Sequence, residues 1–454
     1  MSALTAFLGA LPLHRPAVPD RGRAHPATTG SHDQAGYTEP SRAAGLAALL
    51  AAASCGLTAQ RVLLVAVPWL VLTETGSPAA TGLVSAAQVT PILLAKLFGG
   101  PLLDRAGLAR ISVCGDAICA AGMLVLAAAG TPPLWLIVAV MAAVGAAQGP
   151  SAAARTALIA AVADTVRRPM QWGTGLMTTV ERCATTLGPA TGGLLIAVIG
   201  GQRLLWLVAA LFTGASLFAR AYLGRTPPAA ADRSYWRELR DGAAFLVRDR
   251  SLAAVLVMYG VTNWLDEALL VCLFPVWART GGHSPALIGA AISAAGATAV
   301  PTALLTAYTG HRWPRRRAYL LAAVISGPTR FAALAAGLPP LAVLAVFAVS
   351  GLGCGLVSPL ADAVQLERIP AQLRGRVFTL SRAAAWIGIP AGGITGAGLT
   401  ACVGLTAALW ICAAGFLAAA IYPGWRVVWN PPPDKHHVAP DLAQRRRPRY
   451  GSHP

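Results

Sequence analysis

Apolar residues along this chain come in long blocks, and polar residues come in short clusters between them. The blocks number twelve, at roughly 43–73, 79–101, 111–130, 133–154, 173–199, 204–222, 251–278, 286–308, 318–337, 340–362, 376–398 and 402–423. Each is about 18 residues or longer, enough for a helix to cross about 30 Å of hydrocarbon. The pattern predicts an all-α polytopic membrane protein. Residues 1–41, rich in Pro, Gly, His and Arg, read as a disordered tail, and 425–454 as a second, basic one. A polar loop at 224–250 divides six spans (42–223) from six (251–424).

The two sets of six repeat one another. Arg182-Cys-Ala-Thr-Thr-Leu-Gly188-Pro189-Ala-Thr-Gly192-Gly193 is echoed by Arg382-Ala-Ala-Ala-Trp386-Ile-Gly388-Ile-Pro390-Ala-Gly392-Gly393. Arg, Gly and Gly-Gly keep their offsets while the proline slips by one place. Thr75-Gly76-Ser77-Pro78 before the second span returns as Thr280-Gly281-Gly282-His283-Ser284-Pro285 before the eighth. Two six-helix bundles in parallel repeat follow.

Composition strengthens this reading. The chain of 454 residues is 56% hydrophobic and 12% charged, against about 25% charged in soluble proteins. The net charge of +18 does not call for nucleic acid, because the basic residues sit in short loops between spans. With the amino terminus inside, inner segments hold 29 of the 36 Lys and Arg, the outer loops hold only Arg203 and Arg279, and five lie within spans. That asymmetry predicts a multi-pass protein of the cell membrane with both termini cytoplasmic. Of the eight cysteines, seven fall within spans and Cys402 at a span end, which suits small apolar packing residues rather than disulfides or zinc.

Charges in the hydrocarbon region carry the functional information, because each is costly unless paired or wet. Span one holds Ser54, Thr58 and Arg61 as one polar stripe; span seven holds Thr262, Asn263, Asp266 and Glu267 on one face. Asp266 and Glu267 are candidate proton carriers, and Arg61 is a cavity charge able either to pair with the acid across the cavity or to tie the halves together. Glu181, beside Arg182 in span five, is a rival carrier; its alternative is a salt bridge to Arg382 or Arg155. Asp116 reads as a solvated or capped inner end of span three, and Arg330 has no evident partner. Trp264 and Trp386 are candidates for stacking a ligand beside Thr58 and Asn263, or else are packing tryptophans. No histidine falls in a span, so a proton relay would use carboxylates. There is no phosphate-binding GxxxxGK[ST], no HExxH and no CxxC. Neither an enzyme nor a cofactor is expected.

Three motifs resemble the major facilitator superfamily, over essentially all of 43–423. Gly100-Pro-Leu-Leu-Asp104-Arg105-Ala-Gly107-Leu-Ala-Arg110 is similar to its loop signature between spans two and three. Gly188-Pro189-Ala-Thr-Gly192-Gly193 resembles the signature of its drug–proton antiporter branch. Gly149-Pro-Ser-Ala-Ala-Ala-Arg155, with Glu367-Arg-Ile-Pro370 and Arg374-Gly375-Arg376, is similar to the exporter group containing macrolide and enterobactin efflux proteins. The second-half loop Gly310-His-Arg-Trp-Pro314 lacks the acid that Asp104 supplies, and Gly145 stands where drug antiporters often carry arginine. The resemblance implies alternating access, with the 100–110 loop as a gate and Gly188, Gly192 and Gly193 allowing close helix approach. It implies a monomeric secondary transporter that exports amphipathic small molecules against protons. A facilitator or importer of a polar metabolite and a non-transporting receptor are the alternatives.

Overall fold

A computed structural model describes residues 39–98, 107–165, 170–220, 246, 248–369, 380–381 and 384–426. The helices among them are α1 (Glu39–Thr75), α2 (Pro78–Phe98), α3 (Leu108–Ala128), α4 (Leu134–Thr165), α5 (Met170–Ile199), α6 (Gly201–Arg220), α7 (Arg250–Thr280), α8 (Pro285–Thr309), α9 (Arg315–Ala335), α10 (Pro340–Arg368), α11 (Ile389–Val403) and α12 (Leu405–Arg426). Eleven are long and apolar enough to cross a membrane. α11 is the shorter one: its helix begins at Ile389, after a turn at 385–388, where a span over 376–398 was expected. α4 and α10 run further than expected, to Thr165 and Arg368, so Arg155 lies inside a helix rather than at a span end. The tails and the central loop lie largely outside the described residues.

Local chemistry explains the helix starts. Asp249 caps α7 by accepting from the backbone N–H groups of Ser251 (2.8 Å) and Leu252 (3.2 Å). Ser284 caps α8, with Pro285 as its first residue. On one face of the bundle six tight turns join α1–α2, α3–α4, α5–α6, α7–α8, α9–α10 and α11–α12. Each carries one glycine with positive φ (Gly76, Gly130, Gly200, Gly282, Gly337, Gly404), which ends the preceding helix without the steric cost another residue would meet. We call this the turn face. The opposite, terminal face carries the start of α1 and the end of α12.

Two helices depart from regularity. α7 has a π-helical stretch at Leu269–Leu273, and α9 breaks at Gly327 before Pro328. Helix neighbours repeat at a shift of six: α1 packs on α5 as α7 packs on α11, α2 on α4 as α8 on α10, and α3 on α6 as α9 on α12. The chain is thus two repeated halves. Phe274 and Phe347 stack at 5.0 Å inside the second half, while Trp135 and Trp425, 70% and 76% exposed, project outward as expected at membrane interfaces.

Candidate functional site

Small residues decide where the halves meet. In α5, Gly188 backs onto Arg61 of α1, and a Cβ there would sit 2.5 Å from the Arg61 Cβ. Gly192 faces Val62, and Gly193 faces Pro285 and Gly289 of α8. The echoes in α11 do the same work: Gly388 backs onto Trp264 of α7, Gly392 onto Trp264 and Glu267, and Gly393 onto Gly82 of α2. Each motif therefore fastens its helix within its own half and then, one residue further, presses bare backbone against the other half. The Pro189 carbonyl packs so closely on Gly289 that a Cβ there would collide with it, and Pro390 stands near the start of α11. Ser293 accepts from the Ala190 N–H at 2.9 Å across the same seam, and Arg279 donates to the Leu72 carbonyl. The contacts between the halves, at Gly193, Gly393, Ala190–Ser293 and Arg279–Leu72, lie in the part of the bundle nearer the turn face.

Toward the terminal face the halves bound a cavity of about 270 Å³. It is lined by Arg182 of α5, Tyr259 and Asn263 of α7, and Ser358, Asp362 and Gln365 of α10, with Ser381, Ala385 and Trp386 from the segment before α11. Asn263 donates to the Ala385 carbonyl at 3.0 Å, Tyr259 Oη donates to Asp362 at 3.4 Å, and Ser381 donates to Gln365 at 2.6 Å. Sequence reasoning named Asn263, Trp386 and, as a motif residue, Arg182. It passed over Tyr259, Asp362 and Gln365. An acid at the inner end of a long apolar block was the available signal for Asp362.

The intramembrane charges pair differently from expectation. Asp266 does not meet Arg61. Its partner is Arg330, whose Nη2 lies 2.6 Å from Asp266 Oδ1. The break at Gly327–Pro328 starts a new helical segment two residues before Arg330, which also sits 5.9 Å over the Phe347 ring. Arg61 remains with its own half. It takes no hydrogen bond among the described residues, its Nε is buried, and the charges that act on it are Glu181 and Arg182. Glu267 has no hydrogen bond or ion pair among the described residues. Glu181 is exposed and does not reach Arg155, which is occupied elsewhere.

Asp116 is a second correction. It is 1% exposed, accepts from Ser151 Oγ at 2.8 Å and forms an ion pair with Arg155 Nη1. Gly115 makes this possible by letting α4 approach until Ser151 would touch any Cβ placed there. Trp264 packs rather than lines the cavity: it lies against Gly388 and donates to Thr395 at 3.1 Å. Thr58 is half-buried on α1. Gly107, with φ 82°, precedes α3, and Arg110 is exposed on its first turn. Gly100, Asp104, Arg105 and Arg382 lie outside the described residues. All eight cysteines are free, and no group of metal-ligating side chains occurs among the described residues.

Comparison with known proteins decides the family. The model of the Major Facilitator Superfamily matches residues 49–265 and 256–449. The chain belongs to the Major Facilitator Superfamily. Its curated relatives include the multidrug efflux pump Tap of Mycobacterium tuberculosis, 31% identical over 378 residues, or 80% of this chain and 87% of that protein. The Tap pump of Mycolicibacterium fortuitum is 30% identical over 80% of this chain and 89% of its own length. Among solved structures, the D323A mutant of the nucleoside transporter NupG superposes with a TM-score of 0.70 at 12% identity, covering 84% of this chain and 98% of that one. A bacterial homologue of the human lysosomal transporter Spinster, inward-facing and unoccupied, superposes with a TM-score of 0.64 at 13% identity, covering 87% and 97%. As a member of this superfamily the chain is a multi-pass membrane transporter, not an enzyme.

Proposed function

We propose that this transporter is a drug or natural-product exporter of the cell membrane, driven by inward proton flow through alternating access. The observation that carries the reading is the division of the seam. Glycine backbones close the halves toward the turn face, while a cavity lined by charged and hydrogen-bonding side chains lies between them toward the terminal face. The Tap relatives, named as multidrug efflux pumps, support the export direction. The distribution of Arg and Lys supports a cytoplasmic terminal face with both termini inside. On that orientation the conformation is the inward-facing one, and rocking about the α2–α11 and α5–α8 seams exchanges it for the outward-facing one.

Coupling falls to an intramembrane carboxylate. Arg330 already compensates Asp266, so exchanging its proton means breaking an ion pair. Glu267, next along α7 and without a hydrogen bond or ion pair among the described residues, is the freer carrier, and Glu181 is its rival. The loop at Gly100–Arg110 serves as the gate on the cytoplasmic side. The cavity's hydrogen-bonding lining also suits a small polar metabolite, so direction is the quantity to measure. In everted vesicles with an imposed acid-inside gradient, the wild type accumulates dye substrates and an ionophore abolishes the signal. Glu267→Gln retains exchange but loses gradient-driven accumulation. Accumulation that ignores the gradient would remove proton antiport, and uncoupling by Glu181→Gln alone would move the carrier to α5.

A further inference from the structure

Arg182 is left unused by this coupling scheme. It is exposed on α5, lines the cavity, and takes no hydrogen bond or ion pair among the described residues. Seven residues separate it from Gly175, where the membrane span of α5 begins, about 10 Å at about 1.5 Å per residue. At that depth an unpaired guanidinium is costly unless water or a ligand attends it.

Its neighbours do not neutralise it. Glu181 is adjacent in sequence but projects about 100° away around the helix. Asp362, the only acid among the described lining residues, accepts from Tyr259 and has a further contact of its own. Arg61, also without a hydrogen bond among the described residues, stands on α1 against Gly188 of the same α5. The first half thus carries two guanidinium groups and one carboxylate in this region, of which Arg182 lines the cavity. Asp362 apart, the facing wall offers neutral groups. Asn263 uses one N–H on Ala385 and keeps its carbonyl and second N–H, Ser358 and Gln365 add further hydrogen-bonding atoms, and Trp386 adds an aromatic ring.

We propose that the ligand of this cavity carries an anionic oxygen group seated on Arg182, joined to an aromatic body that lies toward Trp386 and the amide and hydroxyl groups of α7 and α10. The proposal rests on the reading of the cavity as the ligand site. A planar guanidinium with five donors fits an anionic oxygen group and repels an organic cation.

Two xanthene dyes of similar ring and opposite charge test it: fluorescein, a dianion at pH 8, and rhodamine 6G, a cation. Binding is read by fluorescence anisotropy on the purified full chain in lipid nanodiscs. The wild type is expected to bind fluorescein about tenfold or more tighter than rhodamine 6G, the worth of one charge-assisted hydrogen bond. Arg182→Gln should cost fluorescein about tenfold and leave rhodamine 6G unchanged or tighter, while Arg182→Lys keeps most of the fluorescein affinity. Tighter rhodamine 6G binding in the wild type, an equal loss of both dyes in Arg182→Gln, or no fluorescein binding overturns the proposal. Loss of gradient-driven accumulation in vesicles with this charge preference intact would overturn the export reading alone.

Discussion

Arg330 holds Asp266 at 2.6 Å, tying the broken helix α9 to α7 inside the second half. The two ends of the pair are not alike: the Arg330 side chain is 8% exposed and the Asp266 side chain 30%. The cation is buried against Phe347 and the acid is the wetter end. Removing the cation leaves an intramembrane acid without compensation. Arg330→Met is expected to destabilise the protein by about 1–3 kcal/mol, and adding Asp266→Asn should restore part of that loss. Thermal unfolding of the two single variants and the double variant reads the coupling; strict additivity would mean the pair contributes nothing.

The α5–α8 seam is close-packed backbone. At Gly193 an added Cβ would lie 2.5 Å from the Pro285 carbonyl oxygen, an atom that cannot rotate aside. Gly193→Val should therefore pry the turn face open. Cysteines placed at Ala190 and Ser293, in a background lacking the eight native ones, should cross-link readily in the parent and poorly in the variant. Undiminished cross-linking would show that the seam yields.

Gly56 guards the buried pair in the first half. A Cβ there would come within 2.9 Å of Arg155 Nη2, whereas one at Gly214 meets only Cys55 Sγ at 3.9 Å. Gly56→Leu should displace Arg155 from Asp116 and cost about 1–3 kcal/mol, with Gly214→Ala close to neutral as the control. Equal melting temperatures for the two variants would contradict this.

Orientation is tested by labelling. With native cysteines removed, Arg203→Cys should react with an impermeant maleimide added to intact cells and Arg317→Cys only after permeabilisation. Labelling of both from outside would reverse or break the assigned topology.

Asp104→Asn should impair transport several-fold at matched expression while the protein remains folded, because the 100–110 loop resembles the superfamily's gate signature. Unchanged transport would reduce that loop to a topology marker.

Much of this protein follows from one dimension. The spans follow from run length, because an apolar block of about 20 residues has few stable alternatives to a membrane helix. The repeated halves follow from the offsets shared by Arg182–Gly193 and Arg382–Gly393, which the fold honours by giving Gly193 and Gly393 the same task at the two seams. The pairing of charges does not follow. Asp266 has similar span depth to several arginines, and depth cannot tell Arg61 from Arg330. The choice is made by the break at Gly327–Pro328 and by the glycine contact that keeps Arg61, on α1, against α5. Asp116 misled for the same reason: its position near a span end suggests solvent, but the bare backbone of Gly115 brings in Ser151 and Arg155. Composition and periodicity set which helices form and how often they repeat, since those depend on hydration of each segment alone. Which side chains meet depends on helix rotation and approach, and these are fixed by steric contacts between residues as far apart in sequence as Gly82 and Gly393.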